Sequence, residues 1–375
     1  MLTMSWRTNY RQLTKLLFCI QLVVGVFLIV LAFATEFRGV WVPRWSLNDR
    51  NEILTQLDGA FNHIFLQVYA LGYAYYPSQY APSKIHNDAW LKAFLKEAHQ
   101  RNIRVSAWVN LFYSWGFAPR TAEPIHPINM HPNWYVADAR GRSMLDYSID
   151  ELRQLSSEGY YLAPSNAQVR SYLCAVVNEI VTNYDFDGVH LDYVRYPRRS
   201  FIYDVYVRSA FMKHYYIDPL ELTTNRSMPE RYGLWGVDSL TEAWHGFVAD
   251  DLTAFIRELR SVVTPRGAVL SVAVKPQYEE AQNHYFQDWP TWLRNNYVDF
   301  VCLMSYGTSI SSTLQQALRA VDEPERVMVG IGLYLLTPQQ VQQQVGLVRS
   351  QPFAGVVFFS YDQLKKNRAY LNTLK

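Results

Sequence analysis

Only three cysteines occur in 375 residues, and Cys19 falls within an N-terminal apolar run. A disulfide framework is therefore not the reading for this chain, and Cys174 and Cys302 are expected as two buried thiols, with one bridge between them as the alternative. Charge is also sparse. Charged residues make up 18% against 49% apolar, which excludes an extended disordered block and describes a globular chain with a large core. The nine histidines are scattered with no His-x-His pair, which speaks against a metal hydrolase site. G-x-S-x-G elbows, P-loops and dinucleotide fingerprints are missing too, as are short repeats and low-complexity tracts, so no cofactor is expected. Leaving aside the three basic residues of the first 34 leaves 32 basic against 33 acidic residues. That balance suggests no nucleic-acid partner.

What the chain has in quantity is aromatic side chains: 11 Trp, 27 Tyr and 19 Phe. It also has a distinct leader over residues 1–34. Arg7, Arg11 and Lys15 precede an apolar run from Leu16 to Leu31, which ends in Ala32-Phe33-Ala34. This is the three-part layout of a secretory signal with cleavage before Thr35; a retained membrane anchor is the alternative, the run being close to the roughly 20 residues that span a bilayer. Cleavage is favoured because strand-like sequence resumes at Phe37 with no linker to hold a tethered domain off the membrane. Both readings export the remainder, to a periplasmic, extracellular or membrane-anchored location. Membrane contact is expected only through an uncleaved leader.

From residue 36 to 375 the pattern alternates. Strand-like runs occupy 37–43, 63–69, 103–111, 187–193, 268–274, 298–306, 326–334 and 354–361, and helical patterns separate them at 49–60, 87–102, 165–184, 242–263, 289–296, 312–320 and 337–350. Asp88, Ser165 and Thr337 are of the residue types that cap helices. Eight apolar strands alternating with helices predict an α/β fold closed as a (β/α)₈ TIM barrel. The connections 112–164 and 194–240, after the third and fourth strands, are long and aromatic. They are expected to wall a cleft at the C-terminal face, where barrel enzymes place their chemistry.

The fourth strand carries FDGVHLDYVRYP at 186–197. Alternation puts His190 and Asp192 on one face and Val189, Leu191 and Tyr193 on the other. The apolar face suits helices, so His190 and Asp192 should enter the barrel with Asp192 at its mouth, followed by Arg195 and Tyr196. Asp192 as nothing more than a partner for Arg195 or another basic group is the bland alternative. Asp187, beside Gly188, reads as fixing a turn. Other strand ends supply Gln67 and Tyr69, Trp108 and Asn110, Lys275 and Gln277, Ser305 and Tyr306, Tyr334 and Ser360, with Tyr113 just beyond the third strand. Together, amides, hydroxyls and rings of this kind suit a sugar-binding cleft, in which apolar sugar faces stack on aromatics.

RGVWV at 38–42, LQVY at 66–69, AWVN at 107–110, HPNW at 131–134, YLAPSNAQVRSYL at 161–173, FDGVHLDYVRYP and FFSYDQL at 358–364 resemble, in order, the bacterial glycosyl-hydrolase-like family 10. The resemblance implies a TIM barrel in the envelope or outside the cell, hydrolysing glycan, with peptidoglycan strands a leading substrate class. Asp187, Gly188, His190, Asp192, Tyr196 and Pro197 fall on the family's motif; Tyr193 stands where many members have Asp, and Leu162-Ala163-Pro164 where L-D-P or L-N-P is common. The same strand is similar to the nucleophile strand of family 13 α-amylases, with Asp192 at the nucleophile, and more distantly to family 18 chitinases. Against the chitinase pattern, Val194 replaces the acid/base Glu and Gly307 the Asp after Met304-Ser305-Tyr306. Glycoside hydrolysis ordinarily uses two carboxyl groups. Asp192 is one. Glu279 is taken as the second, from the region where family 13 holds its acid, with Glu280, Asp288 and Asp362 as further candidates. The function expected is a carboxylate-based glycosidase acting on an envelope or extracellular polysaccharide. A non-catalytic glycan-binding barrel and a metal-dependent hydrolase using His190 are the alternatives.

Overall fold

The computed structural model describes residues 36–57, 59–224 and 228–374; the leader lies outside them. Eight parallel strands, β1 Phe37–Val42, β2 His63–Ala70, β3 Arg104–Asn110, β4 Gly188–Asp192, β5 Val269–Val274, β6 Phe300–Met304, β7 Val327–Gly332 and β8 Gly355–Phe359, pair in sequence order. β8 pairs with β1 and β1 with β2, so the sheet closes into a barrel. Closure leaves no edge strand among the eight and satisfies every neighbour's backbone ladder. A helix follows each strand: α1 Arg50–Leu57, α2 Ala89–Gln100, α3 Ala167–Asn183, α4 Met228–Val263, α5 Trp289–Arg294, α6 Ser311–Ala320, α7 Pro338–Arg349 and α8 Tyr361–Lys366. The last was not expected from sequence, which ran the eighth strand on to Tyr361, the first residue of this helix. No helix among the described residues is long and apolar enough to cross a membrane.

Strand alternation produces two cores. Val40, Val42, Ile64, Leu66, Val189, Leu191, Val272 and Val301 join the apolar layer under the helices, where β-branched side chains suit a sheet covered on its outer face. The opposite residues fill the barrel with rings: Trp41 and Phe65 lie 5.7 Å apart between centroids, and Phe65 and His190 4.1 Å. Gly330 makes room for this filling, because a Cβ there would meet the Trp41 ring at 2.9 Å and the Leu303 carbonyl at 2.5 Å. Cys174 and Cys302 are both free thiols, Cys302 buried and Cys174 only partly so.

Two of the three expected caps hold their places. Thr337 forms a capping box with Gln340 on α7, and Asp88 occupies the N-cap of α2 while its carboxylate pairs with Lys92 at 2.8 Å. Ser165 does not cap α3. Asn166 does, accepting from the Gln168 amide, and the Ser165 hydroxyl is drawn instead to Asp251 at 2.5 Å. The insertion after β3 folds back over the barrel through an antiparallel pair, Tyr113–Trp115 with Tyr160–Tyr161. The insertion after β4 behaves differently from expectation: its helix Val205–Tyr215 packs Phe211 against Trp244 of α4, with ring centroids 5.1 Å apart. Burying that apolar face takes most of the segment away from the barrel mouth.

Candidate active site

At the C-terminal ends of the strands lies a cleft of about 550 Å³, lined by Trp41, Gln67, Trp108, Asn110, Tyr113, Asp192, Arg195, Lys275 and Tyr306, together with residues the sequence reading did not single out. Asp192 is its floor. The carboxylate is 8% exposed; Trp108 Nε1 donates to Oδ2 at 3.1 Å and the Tyr193 amide to Oδ1 at 2.7 Å. Burial raises its pKa to about 6, only partly opposed by the Tyr193 amide, the Arg195 charge and the Trp108 N–H, while the Glu158 charge raises it further. A carboxyl whose burial outweighs its donors is poised to exchange a proton near neutral pH.

Among the described residues Asp192 makes no ion pair with Arg195 or with any other basic side chain, which speaks against the bland reading of that aspartate. The guanidinium, 4% exposed, donates to Glu158 Oε2 at 2.5 Å, and Lys275 Nζ lies 3.9 Å from Glu158 Oε1. Glu158 is thus a further carboxylate of the cleft. Burial would raise its pKa, but Arg195, Lys275 and the Tyr161 hydroxyl at 2.9 Å outweigh that and hold it below the usual range. Two carboxyl groups in one cleft are therefore driven in opposite directions, the arrangement by which acid and ionised roles are separated. Glu158 sat unnoticed in a fifty-residue connection without periodicity. Its local signal is Gly159, where a Cβ would meet the Trp115 carbonyl at 2.2 Å; glycine lets the two short strands close and carries Glu158 back over β3.

Glu279 is not part of this constellation. It is exposed on the helix Tyr278–Tyr285 and faces a separate groove with Pro290, Thr291 and Arg294. Its neighbour Glu280 lines the cleft instead, because successive helical residues point about 100° apart. Asp288 caps α5, accepting from the Thr291 amide, and Asp362 is engaged by Ser360 within the first turn of α8. Asp187 accepts from the Val105 amide at 2.7 Å and pairs with His99 at 3.0 Å, tying the start of β4 to β3 and α2.

His190 and Tyr196 also lie away from the cleft surface. His190 is fully buried one layer below Asp192; its Nε2 accepts from Trp41 Nε1 at 3.1 Å, so Nδ1–H donates to Ser271 Oγ at 2.9 Å. Burial lowers its pKa far below the ordinary value, and with both nitrogens engaged the neutral ring offers no free lone pair to a ligand. Among the described residues no group of three or more His, Cys, Asp or Glu side chains is arranged to hold a metal ion. Tyr196 is fully buried beside Ser165, its hydroxyl 3.2 Å from Ser165 Oγ. Tyr69 turns outward to Tyr172 after a bulge in β2.

Tyr193 reverses its expected direction. β4 ends at Asp192, and Tyr193 takes φ +55°, so strand alternation stops and the ring enters the cleft. There it stacks on Tyr113 at 4.4 Å and lies under the Arg195 guanidinium at 4.9 Å. Trp108, by contrast, is 4% exposed and serves Asp192 more than any open platform. The exposed ring is Trp45, at 53%.

A (β/α)₈ barrel with acidic groups and aromatic rings gathered at the strand ends is the architecture of many sugar-processing enzymes. This chain matches the glycosyl hydrolase-like 10 profile over residues 34–346 and belongs to that family. It is 24% identical over 214 residues to glycosyl hydrolase YngK of Bacillus subtilis, covering 48% of this chain and 38% of that protein. It is 28% identical over 184 residues to glycosyl hydrolase DigH of Escherichia coli, covering 42% and 40%. The matches thus span about two-fifths of these relatives' length. In fold, it is similar to the PgaB glycoside hydrolase domain of Bordetella bronchiseptica, with a TM-score of 0.68 and 14% identity over 91% of this chain and 99% of that one. An α-L-fucosidase of Paenibacillus thiaminolyticus follows at TM-score 0.60 and 16% identity, covering 91% and 48%.

Proposed function

We propose that this protein hydrolyses glycosidic bonds of an envelope or extracellular polysaccharide, peptidoglycan glycan strands included. Asp192 is the proton-transferring carboxyl and Glu158 the ionised one. The observation that carries this reading is the buried Asp192 carboxyl on the floor of an aromatic cleft, its proton held to about pH 6. Protonated Asp192 gives its proton to the leaving oxygen as the glycosidic C–O bond breaks, and water supplies hydroxyl to the anomeric carbon. The Glu158 charge stabilises the oxocarbenium-like centre or accepts the water's remaining proton. Arg195 and Lys275 position Glu158 and keep it ionised. Family membership supports glycan as the substrate, and the basic start, apolar run and Ala32-Phe33-Ala34 support export.

A non-catalytic glycan-binding barrel is the second reading, favoured by the 2.5 Å contact that ties Glu158 to Arg195. Turnover separates the two. With peptide-free peptidoglycan strands and other β-linked glycans, the enzyme reading expects new reducing ends, and a loss of about 10²–10⁴-fold in Asp192→Asn and in Glu158→Gln. Glycan retention without reducing ends from any substrate, wild type included, would establish the binding reading in its place.

A further inference from the structure

The cleft holds three cations, and two of them, Arg195 and Lys275, reach Glu158. The third, Arg44, has no carboxylate partner among the described residues. It follows β1 by two positions and is half-buried. Gln67 Oε1 accepts from both its backbone amide, at 3.0 Å, and its Nη1, at 3.3 Å. That fixes the root of the side chain, and the Tyr75 hydroxyl is hydrogen-bonded to the guanidinium as well, which together use only part of its five N–H donors. The guanidinium carbon sits 5.1 Å from the centre of the exposed Trp45 ring, which also lines the cleft. Burial raises the pKa of the Tyr75 and Tyr113 hydroxyls, and the Arg44 charge opposes it in both.

A partly desolvated, anchored guanidinium with donors to spare and an aromatic face next to it is suited to a carboxylate borne on a ring. The carboxylate accepts the forked N–H pair while the sugar's apolar face covers Trp45. A neutral glycan in the same cleft would leave that charge without compensation. Resting on the glycosidase reading above, we propose that Arg44, held by Gln67 and flanked by Trp45, is a specificity-determining residue that selects glycans carrying a sugar carboxylate.

Binding is measured in the full chain carrying Asp192→Asn, so that affinity is read without turnover. The probes are hyaluronan oligosaccharides, whose carboxylates are uronic, and peptide-free peptidoglycan strands, whose carboxylates are lactyl ethers. Each is compared with its carbodiimide-amidated form, and a chitin oligomer serves as the neutral glycan. At least one acidic probe should bind about tenfold more tightly than its amidated form. The arm that shows this names the source of the carboxylate. Arg44→Gln should erase the difference, Arg44→Lys should keep part of it, and added salt should diminish it only where residue 44 is charged. If amidation leaves every affinity unchanged, or Arg44→Gln still prefers the acidic form, the Arg44 assignment is overturned, while the glycosidase reading is judged separately by reducing ends released by the wild type. Failure to bind any of these glycans overturns the Arg44 assignment as well.

Discussion

Asp192 carries two free-energy signatures that a single substitution can separate. Its folded pKa of about 6 lies above the ordinary 3.8, so the folded state keeps a proton that the unfolded chain has released. The corresponding stability is fully present below about pH 4 and is lost as pH rises through about 6, a difference on the order of 3 kcal/mol. Asp204, capping the helix Val205–Tyr215, is raised by burial to about 6 as well and shares the window. His63 and His190, whose pKa values burial lowers, gain stability over the same range, so the Asp192 signature is read as a difference: the thermal midpoint of Asp192→Asn relative to wild type should rise between pH 4 and pH 6. A difference between variant and wild type that is level across this range would contradict the burial argument. Turnover should fall through the same pH as the donor ionises. Residue patterns already placed Asp192 correctly at the mouth of β4, since a period of two needs only the strand. They had no access to its partner: Arg195 is three residues away in sequence, yet its guanidinium is taken by Glu158.

At the scale of elements, the short antiparallel pair beyond β3 decides where Glu158 sits. Gly159→Ala places a Cβ within 2.2 Å of the Trp115 carbonyl, a backbone atom with little freedom to yield. The variant should lose more than about 1 kcal/mol of stability and, with Glu158 displaced, lose turnover well beyond what a stability change of that size explains. Stability loss with full activity would show that the pair does not position the carboxylate. The eight strands were legible because each is a run of apolar and β-branched residues bounded by polar turns. Seven of the eight helices were legible from their amphipathic pattern. Tyr193 was misread because alternation was extended one residue past the strand, into a left-handed position that no side-chain pattern announces. The connection 194–240 was expected to wall the cleft, whereas its helix Val205–Tyr215 packs Phe211 against Trp244.

For the whole molecule, export is tested by the N-terminus of protein recovered from the native envelope. Sequencing should begin at or near Thr35, and an intact Met1 in the membrane fraction would instead support an anchor. The closed barrel was determined by sequence alone, because eight covered strands are a count of local patterns, and a pattern of periods two and 3.6 survives whatever surrounds it. The motif around Asp192 belongs to the same category. Tertiary structure alone decided the company that Asp192 keeps. Glu158 arrives from 34 positions away and Arg44 from the far end of the chain, while Glu279, the expected partner, turns to another groove. Charges meet in space through loop closure and side-chain burial, and those depend on the packed barrel beneath them, which local periodicity does not encode.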